Sequence, residues 1–146
     1  MKGEPNETAL GSDDYDHLHA GHIYLSKYEP GGSLLWAREG RTLSWDEDPD
    51  GCTEGDTCDP LVLGVGLFDD GSALVSGRFT AKIVFGEGTP TAQALVSAGD
   101  SDCFLARYDA DGALEWARSM GSTGLDGCVK VRTAADGTFF VLGHFE

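Results

Sequence analysis

One constraint outweighs the rest in this chain: it says the same thing twice, in two alternating phrases. HIYLSKYEPGGSLLWAREG, from His22 to Gly40, returns as DCFLARYDADGALEWARSMG, from Asp102 to Gly121. The copies align at an offset of 80, pairing Leu25 with Leu105, Tyr28 with Tyr108, Gly32 with Gly112 and Trp36-Ala37-Arg38 with Trp116-Ala117-Arg118. A second phrase, VGLFDDGSALVSGRF from Val65 to Phe79, returns as VRTAADGTFFVLGHF from Val131 to Phe145 at an offset of 66. That pairs Asp70-Gly71 with Asp136-Gly137, Gly77 with Gly143 and Phe79 with Phe145. The chain therefore reads X, Y, X, Y, and a repeat grammar of this kind dictates architecture before anything else.

Each phrase is a strand pair around a turn. In the second X copy, Cys103, Leu105 and Arg107 alternate with Phe104, Ala106 and Tyr108, and Asp109-Ala110-Asp111-Gly112 then interrupts. Period-two alternation broken by an Asp-Gly turn predicts a β-hairpin, and glycine closing the turn supplies the positive φ that other residues resist. The Y copies repeat this around Asp70-Gly71 and Asp136-Gly137. No stretch carries a helical 3.6 period, so the predicted class is all-β. The 21 glycines stand at strand ends rather than in one tract, which fits many short strands and tight turns.

The chain divides into a polar segment over 1–21 and a repeat segment over 22–146. Asp13, Asp14 and Asp16 cluster in the first, followed by His17, His19 and His22; these read as solvated loop histidines, since a zinc site adds placed Cys or carboxylate ligands. An insertion over 41–60 separates the first X and Y copies, and the two offsets make it 14 residues longer than its counterpart. It contains Asp46, Asp48 and Asp50 in a D-x-D-x-D-G run. Alternate carboxylates on a loop turning at glycine are the donors calcium takes, with the Cys52 carbonyl and Glu54 or Asp56 completing the shell. An EF-hand would place glutamate where Thr57 stands, so the loop is not one. The competing reading is an acidic surface loop pinned by a disulfide.

LVLGVGLFDD, opening the first Y copy, is almost continuously apolar and predicts a strand buried on both faces. Between Thr80 and Gly99, the runs Ile83-Val84-Phe85 and Ala94-Leu95-Val96 predict one or two short edge strands in a decorated connection.

A net charge of -15 excludes nucleic acid as partner, because neutralising phosphate takes Lys and Arg. No run of residues approaches a membrane span. Four cysteines allow three connectivities; the expected pairs are Cys52 with Cys58 inside the loop and Cys103 with Cys128. Disulfides place the protein outside the cytosol, extracellular or at the cell surface. The N-terminus lacks an apolar h-region, so a secreted chain of this sequence is expected to be a piece of something longer.

The order S-A-G-x-x-D-x-F-L-A-R-Y-D-x-x-G-x-L-x-W-A-R, a Gly-rich link, and then D-G-x-x-x-V-x-G-x-F resembles the bacterial β-propeller repeat family called SBBP, abundant in secreted and surface proteins of myxobacteria and related δ-proteobacteria. Ala73 to Gly86 also resembles that family's inter-repeat linker. The resemblance covers roughly 22–40 and 61–146, and departs at the cysteine insertion and the histidine region. It implies a partial β-propeller of antiparallel four-stranded blades, about two blades' worth: an outer half-blade over 22–40, a full blade over 61–120 and an inner half-blade over 127–146. Trp36, Trp116, Phe68, Phe79, Phe104, Phe139 and Phe145 are on this reading packing residues.

For function, the expectation is a non-catalytic binding or scaffold module, part of an extracellular propeller taking protein or carbohydrate on its loops. One alternative is an enzyme whose active site lies in missing blades. Within this chain Ser72, Ser76, Ser97 and Ser101 have no nucleophile elbow, His144 lacks an evident acid partner, and Asp69-Asp70 and Asp109-Asp111 read as turn formers. The other is a two-blade protomer that closes a ring with further copies of itself.

Overall fold

A computed structural model describes residues 21–53 and 58–146. Among them there is no helix, and the strands run β1 (His22–Tyr28), β2 (Leu34–Thr42), β3 (Leu61–Leu67), β4 (Ala73–Phe79), β5 (Lys82–Phe85), β6 (Gln93–Val96), β7 (Asp102–Tyr108), β8 (Leu114–Met120), β9 (Gly127–Thr133) and β10 (Phe139–His144). X is β1–β2 and β7–β8; Y is β3–β4 and β9–β10. All pairings between strands are antiparallel.

The repeat extends to fine detail. In all four hairpins a three-residue loop ends in a glycine at φ between 82° and 89°: Gly32, Gly71, Gly112 and Gly137. Each glycine N–H donates to the carbonyl three residues back, the pattern of a turn closed by a left-handed residue. Both X hairpins then carry an extra residue, Leu35 or Glu115, just after the turn. Both Y hairpins carry theirs at Leu63 or Val129, opposite Gly77 or Gly143. A Cβ on Gly77 would sit 1.9 Å from the Leu61 carbonyl oxygen, so the bulge requires that glycine.

The hairpins join into three sheets. β3-β4-β7-β8 form the middle one, pairing the first Y with the second X through β4 and β7. β1-β2-β5-β6 form a second, and β9-β10 a third. The sequence runs around Ile83 and Leu95 are indeed short strands, but they do not decorate the sheet they interrupt. β5 pairs with β2, Gly40 opposite Phe85 and Thr42 opposite Ile83, so the hairpin completes the first sheet instead. The crossing takes only Thr80 and Ala81, and Ala81 adopts φ 59° to make it.

Both faces of the middle sheet are covered. Val75, Phe79, Phe104, Ala106 and Tyr108 pack toward Ile23, Ile83 and Phe85 of the first sheet, with the Phe85 and Phe104 rings 5.2 Å apart. On the reverse face Leu74, Cys103 and Leu105 meet Cys128 and Val131 of the third. Period two alone explains this: successive residues of β4 and β7 point to opposite sides, and each side has a sheet over it.

Two expectations need correction. β3 is not buried on both faces: Leu61, Val65 and Leu67 are exposed, and the cluster that packs the first sheet on the middle one draws on β4 and β7 and includes no residue of β3. Its glycines do lie close against the third sheet, a Cβ on Gly66 falling 2.9 Å from Thr133 Cγ2. Phe145 is also exposed rather than packed, although its repeat equivalent Phe79 is fully buried.

Candidate functional site

The turns of the two X hairpins meet. Lys27 Nζ and the Trp36 indole N–H both donate to the Ala110 carbonyl, at 3.0 and 3.1 Å, and Arg38 Nε donates to the Gly112 carbonyl at 2.6 Å. Residues of the first copy thus hold the turn of the second. Beside this junction an open groove of about 650 Å³ runs along Leu34, Leu35, Trp36, Arg38 and Asp111. It offers an apolar strip, an indole and a cation, a combination suited to a sugar ring or a peptide.

A second cleft, about 230 Å³, lies between the turns of the two Y hairpins, lined by Phe68, Asp69, Asp70, Arg107 and Asp136. The Arg107 guanidinium stacks 4.1 Å over Phe68 and donates to Ser72 Oγ at 3.1 Å. Its Nε is 2.7 Å from Glu115, close as an ion pair but not aligned as a hydrogen bond. The turn aspartates do what short acidic side chains do at turns. Asp70 Oδ1 accepts from the Ser72 N–H and hydroxyl, Asp136 Oδ1 from those of Thr138, and Asp109 Oδ1 from the N–H groups of Asp111 and Ala113. Hydrogen bonds from Ser72 and Thr138 hold the Asp70 and Asp136 carboxyls below the usual range.

In the acidic loop, Cys52 and Cys58 form a disulfide, and Thr42 Oγ1 donates to the Cys58 carbonyl at 3.0 Å. Arg41 lies between Glu47 and Glu87, bonded to both, and Lys82 Nζ bonds Asp48 at 2.7 Å. The Lys82 ammonium, with the Asp50 N–H, lowers the Asp48 carboxyl. Burial works to raise the Glu47 carboxyl, but Ser44 and Arg41 outweigh it and hold it low. Two of the loop's carboxylates, Glu47 and Asp48, are thus met by basic side chains of β2 and β5. Among the described residues no three His, Cys, Asp or Glu side chains converge as metal ligands, and one carboxylate oxygen of Asp48 is taken by Lys82. Asp46 and Asp50 are on the same loop; Glu54 and Asp56 lie outside the described residues. So do the aspartates from 13 to 16, His17 and His19, while His22 Nδ1 is 3.5 Å from Glu39.

The hydroxyls of Ser76, Ser97 and Ser101 bond backbone carbonyls. Ser97 donates to the Gly99 carbonyl and Ser101 to that of Asp126; Ser76 Oγ reaches the Gly64 carbonyl at 3.5 Å. Sequence reasoning passed over two buried carboxylates at the opposite end of the sheets, Asp102 and Asp126. Asp126 accepts from the Ser122 and Glu146 N–H groups. Asp102 accepts from the Ala98 N–H at 3.2 Å and leaves its other oxygen buried without a partner among the described residues. Burial, with the Asp126 charge nearby, pushes the Asp102 carboxyl up. Asp126 is buried too, yet its N–H donors outweigh that and hold it low. The only signal in the sequence was that Asp102 opens an X copy where the first copy has His22. The second disulfide, Cys103 to Cys128, ties β7 to β9 across the middle and third sheets.

Compared with known proteins, the chain matches no family model, and no curated protein sequence matches it. No described helix is long and apolar enough to cross a membrane.

Proposed function

We propose that the chain is a non-catalytic binding or scaffold segment of an extracellular or cell-surface protein built from SBBP-type β-propeller repeats. One observation carries this reading: the middle sheet combines Y of one copy with X of the next through β4 and β7, and its two faces are covered by sheets built from the remaining copies. That is how successive blades of a propeller stack, each burying apolar faces against its neighbours. Two disulfides support an oxidising compartment. The ligand, protein or glycan, is assigned to the groove along Leu35 and Trp36, at the hairpin turns where propellers present their loops.

The test is binding of the purified chain to immobilised glycans and extracellular proteins, with Leu35→Asp as the comparison. Leu35 is half exposed, so the change leaves the core intact. Binding lost in Leu35→Asp is the expected result. Equal binding by both proteins, or turnover of a glycan substrate, sinks the reading.

A further inference from the structure

Five side chains that the repeat elsewhere buries stand in solvent here. Tyr24 is 65% exposed and Tyr28 56%, while their equivalents Phe104 and Tyr108 are at 0% and 2%. Phe140 at 74% and Phe145 at 65% correspond to Leu74 and Phe79, both at 0%; Leu142 at 64% corresponds to Ser76, also at 0%. All five lie on β1 or on and just after β10. These are the repeat equivalents of β7 and β4, the two strands that pair inside the middle sheet. Among the described residues neither β1 nor β10 has a partner on the edge that β7 and β4 use on each other. Open, apolar edges of this length are templates for further strands.

We propose that β10 of one chain pairs antiparallel with β1 of a second copy, in the register that β4 and β7 already display. Carrying Val75 opposite Ala106 through the two offsets puts Val141 opposite Ser26, with Phe139 opposite Tyr28 and Leu142 opposite Leu25. This rests on the stacked-repeat reading above and adds the partner to it. The joint sheet runs β9-β10-β1-β2-β5-β6, the last four strands from the second copy. Its outward face, Phe140 and Leu142, then covers Val65 and Leu67 of the second copy, since β9 already lies over β3 within one chain. That accounts for the third exposed apolar strand. It also brings the Gly32 turn of the second copy under Trp116, as Trp36 covers Gly112. The contact joins two different surfaces, so it repeats from copy to copy, and the proposal is that the rotation between copies closes it into a ring rather than an open filament.

Two measurements test it on the full chain. Light scattering after size exclusion is expected to give a discrete multiple of the 15.5 kDa chain mass. Phe140→Asp is expected to return that single mass with an unchanged circular dichroism spectrum, since an exposed side chain supports nothing within one chain. Next, a Ser26→Cys chain mixed with a Val141→Cys chain under mild oxidation is expected to give a disulfide-linked dimer. Lys27→Cys mixed with Val141→Cys gives none, because neighbouring residues on a strand point to opposite faces. A monomer at all concentrations overturns the proposal, and so does equal cross-linking by both mixtures. A monomer that still binds ligand at the Leu35 groove would overturn the pairing alone; a ring without ligand binding would overturn the binding function alone.

Discussion

The Trp36 indole lies so close over Gly112 that a Cβ built on that glycine would fall 2.7 Å from Trp36 Cδ2. Gly112 also sits at φ 82°. Its equivalent, Gly32, has φ 89° but open space around it. Gly32→Ala is therefore expected to cost only the left-handed penalty, about 1–2 kcal/mol. Gly112→Ala must also displace the indole and its hydrogen bond to Ala110, so its loss is larger. Urea unfolding of the two variants measures the difference; equal losses would mean that the junction between the X turns contributes nothing.

Ala81 bears left-handed strain of the same kind with no side-chain reason to do so. Ala81→Gly is expected to stabilise the protein by roughly 0.5–1 kcal/mol, relief of the strain exceeding the extra freedom of glycine in the unfolded chain. A lower urea midpoint would contradict this.

Asp102 and Asp126 respond oppositely to pH. The Asp102 carboxyl is raised in the folded protein, so folding favours its protonated form. Its effect is a loss of stability as pH climbs from the unfolded value, roughly 3.9, through the folded one. Asp102→Asn removes that loss and is expected to raise Tm at pH 7, with no gain below about pH 4. Asp126 is held low, so its contribution is present above the unfolded value and disappears as pH falls through the folded one. Asp126→Asn is expected to lower Tm at neutral pH. Melting curves across this range decide both signs.

The disulfide between Cys103 and Cys128 closes a loop of 25 residues of sequence separation between two sheets. Replacing both with Ala is expected to cost about 3 kcal/mol and to loosen β9–β10 first. Hydrogen exchange checks the order: β9 amides should lose protection before those of β4. Uniform loss would mean that the third sheet does not depend on the bridge.

A calcium ion at the acidic loop would have to displace Lys82 from Asp48. If the acidic loop takes calcium, millimolar calcium raises Tm more in Lys82→Ala than in the unaltered protein. A flat response in both ends that role for the loop.

The hairpins and their turns were legible in the sequence, because period-two alternation and a glycine at each turn are local and were printed twice; the joining of Y to the following X was expected only from the family resemblance. The Cys52–Cys58 pair could be read from its loop, whereas nothing local joined Cys103 to Cys128. What could not be read was anything that depends on a neighbour. Ile83 and Phe85 announce a strand, but nothing in them says that β2 is its partner. The apolar letters of β3 look the same whether a sheet covers them or solvent does. Asp48 reads as a metal ligand, and nothing around it in the sequence says that Lys82, 34 positions later, bonds it.

The placing of β5–β6 has a consequence for how such a chain can be cut and recombined. The hairpin lies between β4 and β7 in sequence, yet it serves the sheet before them. The first and middle sheets are thereby interlocked like links, and no single cut of the chain separates one from the other whole. Excising the residues from β3 to β8 would remove the middle sheet and leave β2 with a bare edge. Modular exchange in this architecture must therefore move a strip that runs from the middle of one sheet to the middle of the next.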